Sequence, residues 1–258
     1  MRLMKRILSA AAVLALSASL LVGCSSGTAS SVPVSASSAA ESTVSSVEET
    51  ASSAVDENEA AAAQLLNDLT GSYQELWPVI LADEYKQTWL DDCTALVGED
   101  NAEAAFEKLS SMVTGDVYGE DAVKAYANGG GAYFCGFTNS LAILTFDGET
   151  STISGTDKDG NVLFSHTYHY IGMEPVRGLY EFQSDDADSG EFTYFFLAPD
   201  TSAETYHIEF RYGSDAEALS QYDTGEYAYW LASGISTDYD QTMIENCIEL
   251  FCTENLSA

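Results

Sequence analysis

From Leu65 the apolar positions recur every three or four residues: Leu65, Leu66, Leu69, Tyr73, Leu76 and Trp77. That period predicts an amphipathic helix, which Pro78 interrupts. Tyr85, Trp89 and Leu90 carry the pattern on to Cys93. Ala102 to Met112 predicts a further helix, with Ala105, Phe106 and Leu109 on one side; Gly115 and Gly119 end it. After Asn128-Gly129-Gly130-Gly131 the period shortens. Tyr133–Phe137, Ala142–Phe146 and Ser151–Gly155 predict short strands, with Asp147-Gly148 and Asp159-Gly160 as hairpin turns. From Asn161 to Met173 the alternation is regular, so that Val162, Phe164, His166, Tyr168 and Tyr170 share a face. Leu179–Phe182, Phe192–Leu197 and Thr205–Tyr212 predict further strands, and Glu217–Leu219 and Met243–Cys252 predict helix. Roughly eight closely spaced strands flanked by helices imply an α+β, mainly β fold, an antiparallel barrel or a strongly bent sheet. No internal repeat is visible.

The ends of the chain differ from this. Met1 to Arg6 is basic, and Ile7 to Val22 is apolar except for Ser9, Ser17 and Ser19. This predicts a secretory signal peptide, too short and wrongly flanked for a membrane span. Its end, Leu21-Val22-Gly23-Cys24, resembles a bacterial lipobox, which implies cleavage before Cys24 and lipidation of Cys24. Two or more acyl chains give stable anchoring. The expected location is extracytoplasmic, lipid-anchored to the bacterial cell membrane.

Ser25 to about Ala62 is rich in Ser, Ala, Thr and Val, is acidic, and has no aromatic residue. Such a segment cannot bury enough apolar surface to offset its chain entropy. It reads as a tether, reaching ~125 Å extended or ~35 Å as a coil, with Ala60–Ala63 as a candidate start of helix. The chain thus divides into residues 1–23, a signal; 24–62, a disordered tether; and 63–258, a single folded domain.

Composition narrows the partners. The chain has 258 residues, 41 acidic and 9 basic, a net charge of −32 and 46% hydrophobic residues. That is ample material for a core. Loss of the signal removes Arg2, Lys5 and Arg6, so the remaining charge is −35. The remaining bases, Lys86, Lys108, Lys124, Lys158, Arg177 and Arg211, form no patch along the chain. Nucleic acid is excluded as a partner, because phosphate binding needs clustered Lys and Arg.

Candidate chemistry is sparse. The histidines are His166, His169 and His207. On a strand, His166 and His169 face opposite ways, and each histidine also reads as an ordinary hydrogen-bonded strand residue. Glu209 shares a face with His207 by alternation. Cys93, Cys135, Cys247 and Cys252 allow three disulfide connectivities, or four buried thiols. Asp157-Lys158-Asp159-Gly160-Asn161 and Asp185-Asp186-Ala187-Asp188 lack a full calcium-loop pattern and read as solvated turns. Gly-x-Ser-x-Gly and His-Glu-x-x-His are absent, and Gly129–Gly131 lacks the Lys of a phosphate loop, so the chain does not read as an enzyme.

An ordered set of segments resembles the ZinT (YodA-type) domain family. Leu69-Thr-Gly-Ser-Tyr-Gln-Glu-Leu-Trp-Pro-Val-Ile80 is similar to that family's opening W-x-G-x-W-x-S-V-Y-P helix. Tyr168-His-Tyr170, Val176-Arg-Gly-Leu-Tyr-Glu-Phe182, Phe196-Leu-Ala-Pro199 and Tyr206-His-Ile208 follow the family's order, and Tyr222 to Ile235 resembles its tail. The resemblance implies a calycin- or lipocalin-like antiparallel barrel with flanking N-terminal and C-terminal helices. It further implies extracytoplasmic zinc binding through three histidines, in support of zinc uptake, with a metal-uptake transporter as partner. Two of those three positions hold Phe195 and Thr205 here; the third holds His207. The resemblance therefore implies zinc, or another divalent cation, at an altered site built on His207, Glu209, His166 and His169. The alternative is a domain of the same fold without metal that binds a small organic or cell-wall-derived ligand.

Overall fold

The strand β1 (Gly71–Glu75) pairs with β2 (Ile143–Asp147) on one side and with β8 (Ala232–Ser236) on the other. That double pairing closes an eight-stranded antiparallel barrel. Between β2 and β8 run β3 (Thr152–Thr156), β4 (Val162–Met173), β5 (Tyr180–Ser184), β6 (Tyr194–Leu197) and β7 (Ile208–Gly213), each bonded to the next. The computed structural model describes residues 57–114, 133–199 and 206–256. Its helices are α1 (residues 57–68), α2 (Leu76–Ile80), α3 (Lys86–Val97), α4 (Glu99–Thr114), α5 (Ala216–Leu219) and α6 (Gln241–Leu256). None of them is long and apolar enough to cross a membrane. The signal, Cys24, most of the tether, Gly115, Gly119, Gly129–Gly131 and Thr205 lie outside the described residues.

Two cores follow from the strand alternation. Ile208, Phe210 and Tyr212 of β7 and Ala232 of β8 point into the barrel. There Phe195 is fully buried and lies 5.4 Å, ring to ring, from both Tyr168 and Tyr212. Phe164, Phe192 and Phe210 complete the aromatic stack. An eight-stranded barrel is just wide enough for side chains to fill. Leu65, Leu66 and Leu69 at the end of α1 join this core. The second core lies outside the barrel. It joins α2, α3, α4 and α6 to the outward-facing Ile235 of β8. Trp89 at its centre is fully buried and donates its indole N–H to the Ile80 carbonyl at 2.7 Å.

The single helix expected over Leu65–Trp77 is broken into helix, strand and helix. Gly71, with φ +144°, leaves the helical region, and Tyr73 then points into the barrel against Phe146. One apolar period thus serves two cores in succession. Helix α1 reaches back to residue 57, across the last residues of the stretch read as tether. The strand expected at Tyr133–Phe137 is only a single parallel bridge, Phe134 to Trp230. Its backbone is held instead by contacts such as Ser233 N–H to the Cys135 carbonyl, 3.0 Å. Val162 is 70% exposed, although Phe164 and Tyr168 behind it are buried, because the pairing register shifts at Gly155/Thr156.

One glycine locks α1 to the barrel. In the β2–β3 hairpin Gly148 donates its N–H to Thr70 Oγ1 at 3.0 Å. A Cβ there would stand 2.4 Å from Asn67 Cα and 2.6 Å from the Leu66 carbonyl oxygen. Backbone cannot yield as a side-chain tip can. Gly148→Ala is expected to lower unfolding free energy by about 1–3 kcal/mol, as overpacking does. Urea denaturation checks it, with Gly172→Ala, where a Cβ meets open space, as the near-neutral comparison.

Candidate functional site

The three histidines sit apart. His166 and His169 lie on opposite faces of β4, with side-chain exposures of 16% and 53%. Each meets a different aspartate of the acidic turn after β5. His166 Nδ1 lies 2.6 Å from Asp186 Oδ2, and His169 Nδ1 2.6 Å from Asp185 Oδ1. His207 precedes β7, three strands further around the barrel. Its Nε2 is 3.8 Å from Glu209 Oε1.

These positions bear on metal binding. Structural and catalytic zinc sites use three or four protein donors around one point. Among the described residues no three His, Cys, Asp or Glu side chains form such a group. His207 and Glu209 supply two donors, which does not fit a zinc centre of that kind. Phe195, at one of the positions where the resembling family has a histidine, lies fully buried in the aromatic stack. The Asp157 segment is a turn whose carboxylate accepts from the backbone N–H groups of Asp159 and Asn161 and from the Asn161 amide. These bonds hold its pKa below the ordinary carboxylate value.

His207 and Glu209 instead form part of the wall of a cavity of about 260 Å³, outside the barrel. Strand alternation explains the placement. Glu209 of β7 and Ser233 of β8 are register partners facing away from the barrel interior. Helices α2, α4 and α6 roof this face with Leu76, Ile80, Met112, Val113 and Phe251. Tyr206, whose backbone is left-handed at φ +65°, leads into His207, and its carbonyl accepts from the Cys247 thiol at 3.4 Å.

Three further groups bring polarity to the cavity. Trp77, 9% exposed, contributes an indole N–H that is buried and has no acceptor. Cys135 is a protonated thiol: burial raises its pKa to about 12, and the Glu209 carboxylate pushes the same way. It donates to the Tyr133 carbonyl at 3.4 Å. The Trp77 N–H and the Arg177 guanidinium are near enough to oppose that shift, but sulfur is a weak acceptor and leaves the indole unsatisfied.

Arg177 is the third, and its position is built by the β4–β5 turn. The Glu174 carboxylate, 1% exposed, accepts from the Val176 and Arg177 backbone N–H groups, both at 2.7 Å. Gly178 supplies the left-handed residue, φ +73°. The guanidinium then lies 4.8 Å from the ring centres of both Tyr133 and Tyr222. Among the described residues it makes no ion pair.

The sequence pointed to His207 and Glu209 in this site, and to Trp77 only as one of many aromatics that line a barrel cavity or fill the core, but not to Arg177, Cys135 or Ser233 as its members. Their grouping depends on β8 and on the 133–135 segment, neither of which has a clear strand period. The one available signal was scarcity, since Arg177 is among very few bases in a strongly acidic chain.

Neither a protein-family model nor a curated protein sequence matches the chain. Among solved structures, the chain is similar to the Zn(II)-bound ZinT-like domain of Streptococcus pneumoniae AdcA, with 15% identity and a TM-score of 0.43, over 75% of this chain and 90% of that one. It is also similar to Zn(II)-bound AdcA from Streptococcus pneumoniae, with 15% identity and a TM-score of 0.41, over 75% of this chain and 35% of that one. The architecture described above rests on the strand pairings themselves.

Proposed function

We propose that the domain is a binding module that holds a small amphipathic organic ligand in the cavity between the outer face of β7–β8 and helices α2, α4 and α6. The observation that carries this reading is the buried Trp77 N–H, left without an acceptor in the wall of that cavity. A buried donor without a partner costs about 1–3 kcal/mol, which an acceptor on a bound ligand would recover. The volume of about 260 Å³ falls just under the ~300 Å³ lower end of ordinary ligand pockets and suits a small molecule. Among the described residues the barrel lumen is packed with aromatic rings. Catalysis is not part of this reading, since the cavity thiol is held protonated by burial and makes a poor nucleophile. The lipobox-like signal and the tether would place the module outside the cell, anchored through Cys24.

The test is saturable binding of an anilinonaphthalene sulfonate dye to the full chain, read by energy transfer from tryptophan. One site is expected, weakened a few-fold by Trp77→Phe and at least about tenfold by Asn255→Phe in the cavity wall. A tenfold loss corresponds to about 1.4 kcal/mol. Absence of saturable binding would sink the proposal. Zinc titration separates the metal reading. Two donors are expected to give no binding tighter than millimolar; submicromolar zinc binding abolished by His207→Ala would transfer the function to metal capture.

A further inference from the structure

We propose that the cavity ligand is a zwitterionic α-amino acid with an apolar side chain. This rests on the small-ligand reading above and names its chemical class. The cavity wall presents two unlike polar demands. On one side stand two donors, the buried Trp77 N–H and the Arg177 guanidinium, neither with an acceptor or carboxylate among the described residues. On the other stands the Glu209 carboxylate, which with its neighbour Ser233 faces the same space. Trp77, Cys135, Arg177, Glu209 and Ser233 all line this one cavity.

Three simpler ligand classes fail on this arrangement. A fatty carboxylate would satisfy Arg177 and Trp77 but bring its charge towards Glu209. An alkylamine would suit Glu209 and leave the indole N–H unsatisfied. A neutral hydrocarbon would desolvate the Arg177 guanidinium without pairing it and leave Glu209 only its His207 neighbour, a costly outcome. A zwitterion answers both sides: its carboxylate accepts from the Arg177 guanidinium and the Trp77 N–H, and its ammonium donates to Glu209. Its side chain then lies on Leu76, Ile80, Met112 and Phe251. Net neutrality also matters. A chain of charge −32 repels anions at long range, but a zwitterion approaches without that cost.

The pre-organisation of Arg177 supports a role in recognition. Its backbone is tied to the Glu174 carboxylate, and its guanidinium lies against two tyrosine rings. A side chain held before binding loses less entropy when it binds. The planar guanidinium matches a carboxylate with two parallel hydrogen bonds.

Isothermal titration of the full chain with L-leucine, N-acetyl-leucine and leucine amide tests this. The second lacks the ammonium and the third lacks the carboxylate. Leucine is expected to bind at least about tenfold tighter than either, since each analogue leaves one charged group of the cavity wall without its counter-charge. Arg177→Gln is expected to weaken leucine and abolish its advantage over the amide. Glu209→Gln is expected to abolish its advantage over the N-acetyl compound. Trp77→Phe, which keeps the ring and loses the donor, is expected to weaken leucine a few-fold. If either analogue binds as tightly as leucine, or leucine does not bind while the dye does, the zwitterion inference is overturned and the binding module stands. If the dye also fails to bind, both are overturned.

Discussion

Replacing Arg211 with Met lowers the unfolding free energy by about 2–4 kcal/mol, the largest loss expected from any single residue around the site. Arg211 is fully buried on the outward face of β7. Its guanidinium donates to the backbone carbonyls of Leu219, Gln221 and Tyr227, and it lies 4.3 Å from the Tyr222 ring centre. It pins the α5–β8 connection onto the barrel without any carboxylate. Methionine fills much the same volume but leaves three carbonyls without a donor, each worth about 1–3 kcal/mol. Part of that is offset because the guanidinium no longer has to be desolvated, the same burial that lowers its pKa. Lysine recovers only a fraction, because one ammonium cannot span three carbonyls as a planar fork does. Urea denaturation of the wild type and both variants checks this; a loss under ~0.5 kcal/mol for Arg211→Met would show that solvent replaces the lost donors, as at ordinary surface sites. The effect reaches the cavity, since the Tyr222 ring contacts both Arg211 and Arg177. Ligand binding is therefore expected to weaken before the fold is lost.

Mild oxidation joins Cys93 to Cys252 and stabilises the domain by about 2–4 kcal/mol. The two sulfurs lie 3.9 Å apart as free thiols, one on α3 and one near the end of α6, 159 positions apart in the chain. A link that closes so long a loop restricts the unfolded chain strongly. Both thiols are fully buried, and burial pushes the pKa of each above its ordinary value. Exchange requires a thiolate, so the link forms slowly and only when α6 loosens. With oxidised glutathione as the oxidant, one protein disulfide forms and two glutathione thiols are released. Peptide mapping without reductant is expected to recover the Cys93–Cys252 pair, and thermal denaturation to show a higher midpoint than in the reduced protein. Cys252→Ala should erase that difference. A lower midpoint on oxidation, or a link involving Cys135 or Cys247, would refute the pairing.

The strands from β2 to β7 were legible because their apolar residues alternate between a packed lumen and a wetter outside. Asp147-Gly148 marked the β2–β3 turn for the same local reason. Strands β1 and β8 were not legible. In β1 the residue Tyr73 falls on a helical period by coincidence, since its neighbours Leu69 and Trp77 belong to α1's end and to α2. In β8 the run Ala232-Ser233-Gly234-Ile235-Ser236 is too small and too polar to carry a strand signal. It is a strand because β1 and β7 offer it hydrogen bonds on both edges.

The sequence by itself determined the class of the fold, a helix-flanked antiparallel β structure, and placed His207 and Glu209 on one strand face. Those features follow from period and alternation, which act between near neighbours. Only the tertiary structure decided that the histidines stay apart, each beside its own carboxylate. It alone brought Trp77, Cys135, Arg177 and Ser233 to the cavity beside Glu209. Those residues come from four distant stretches of chain, and they meet because closure of the barrel through β1 and β8 creates the wall on which the helices pack.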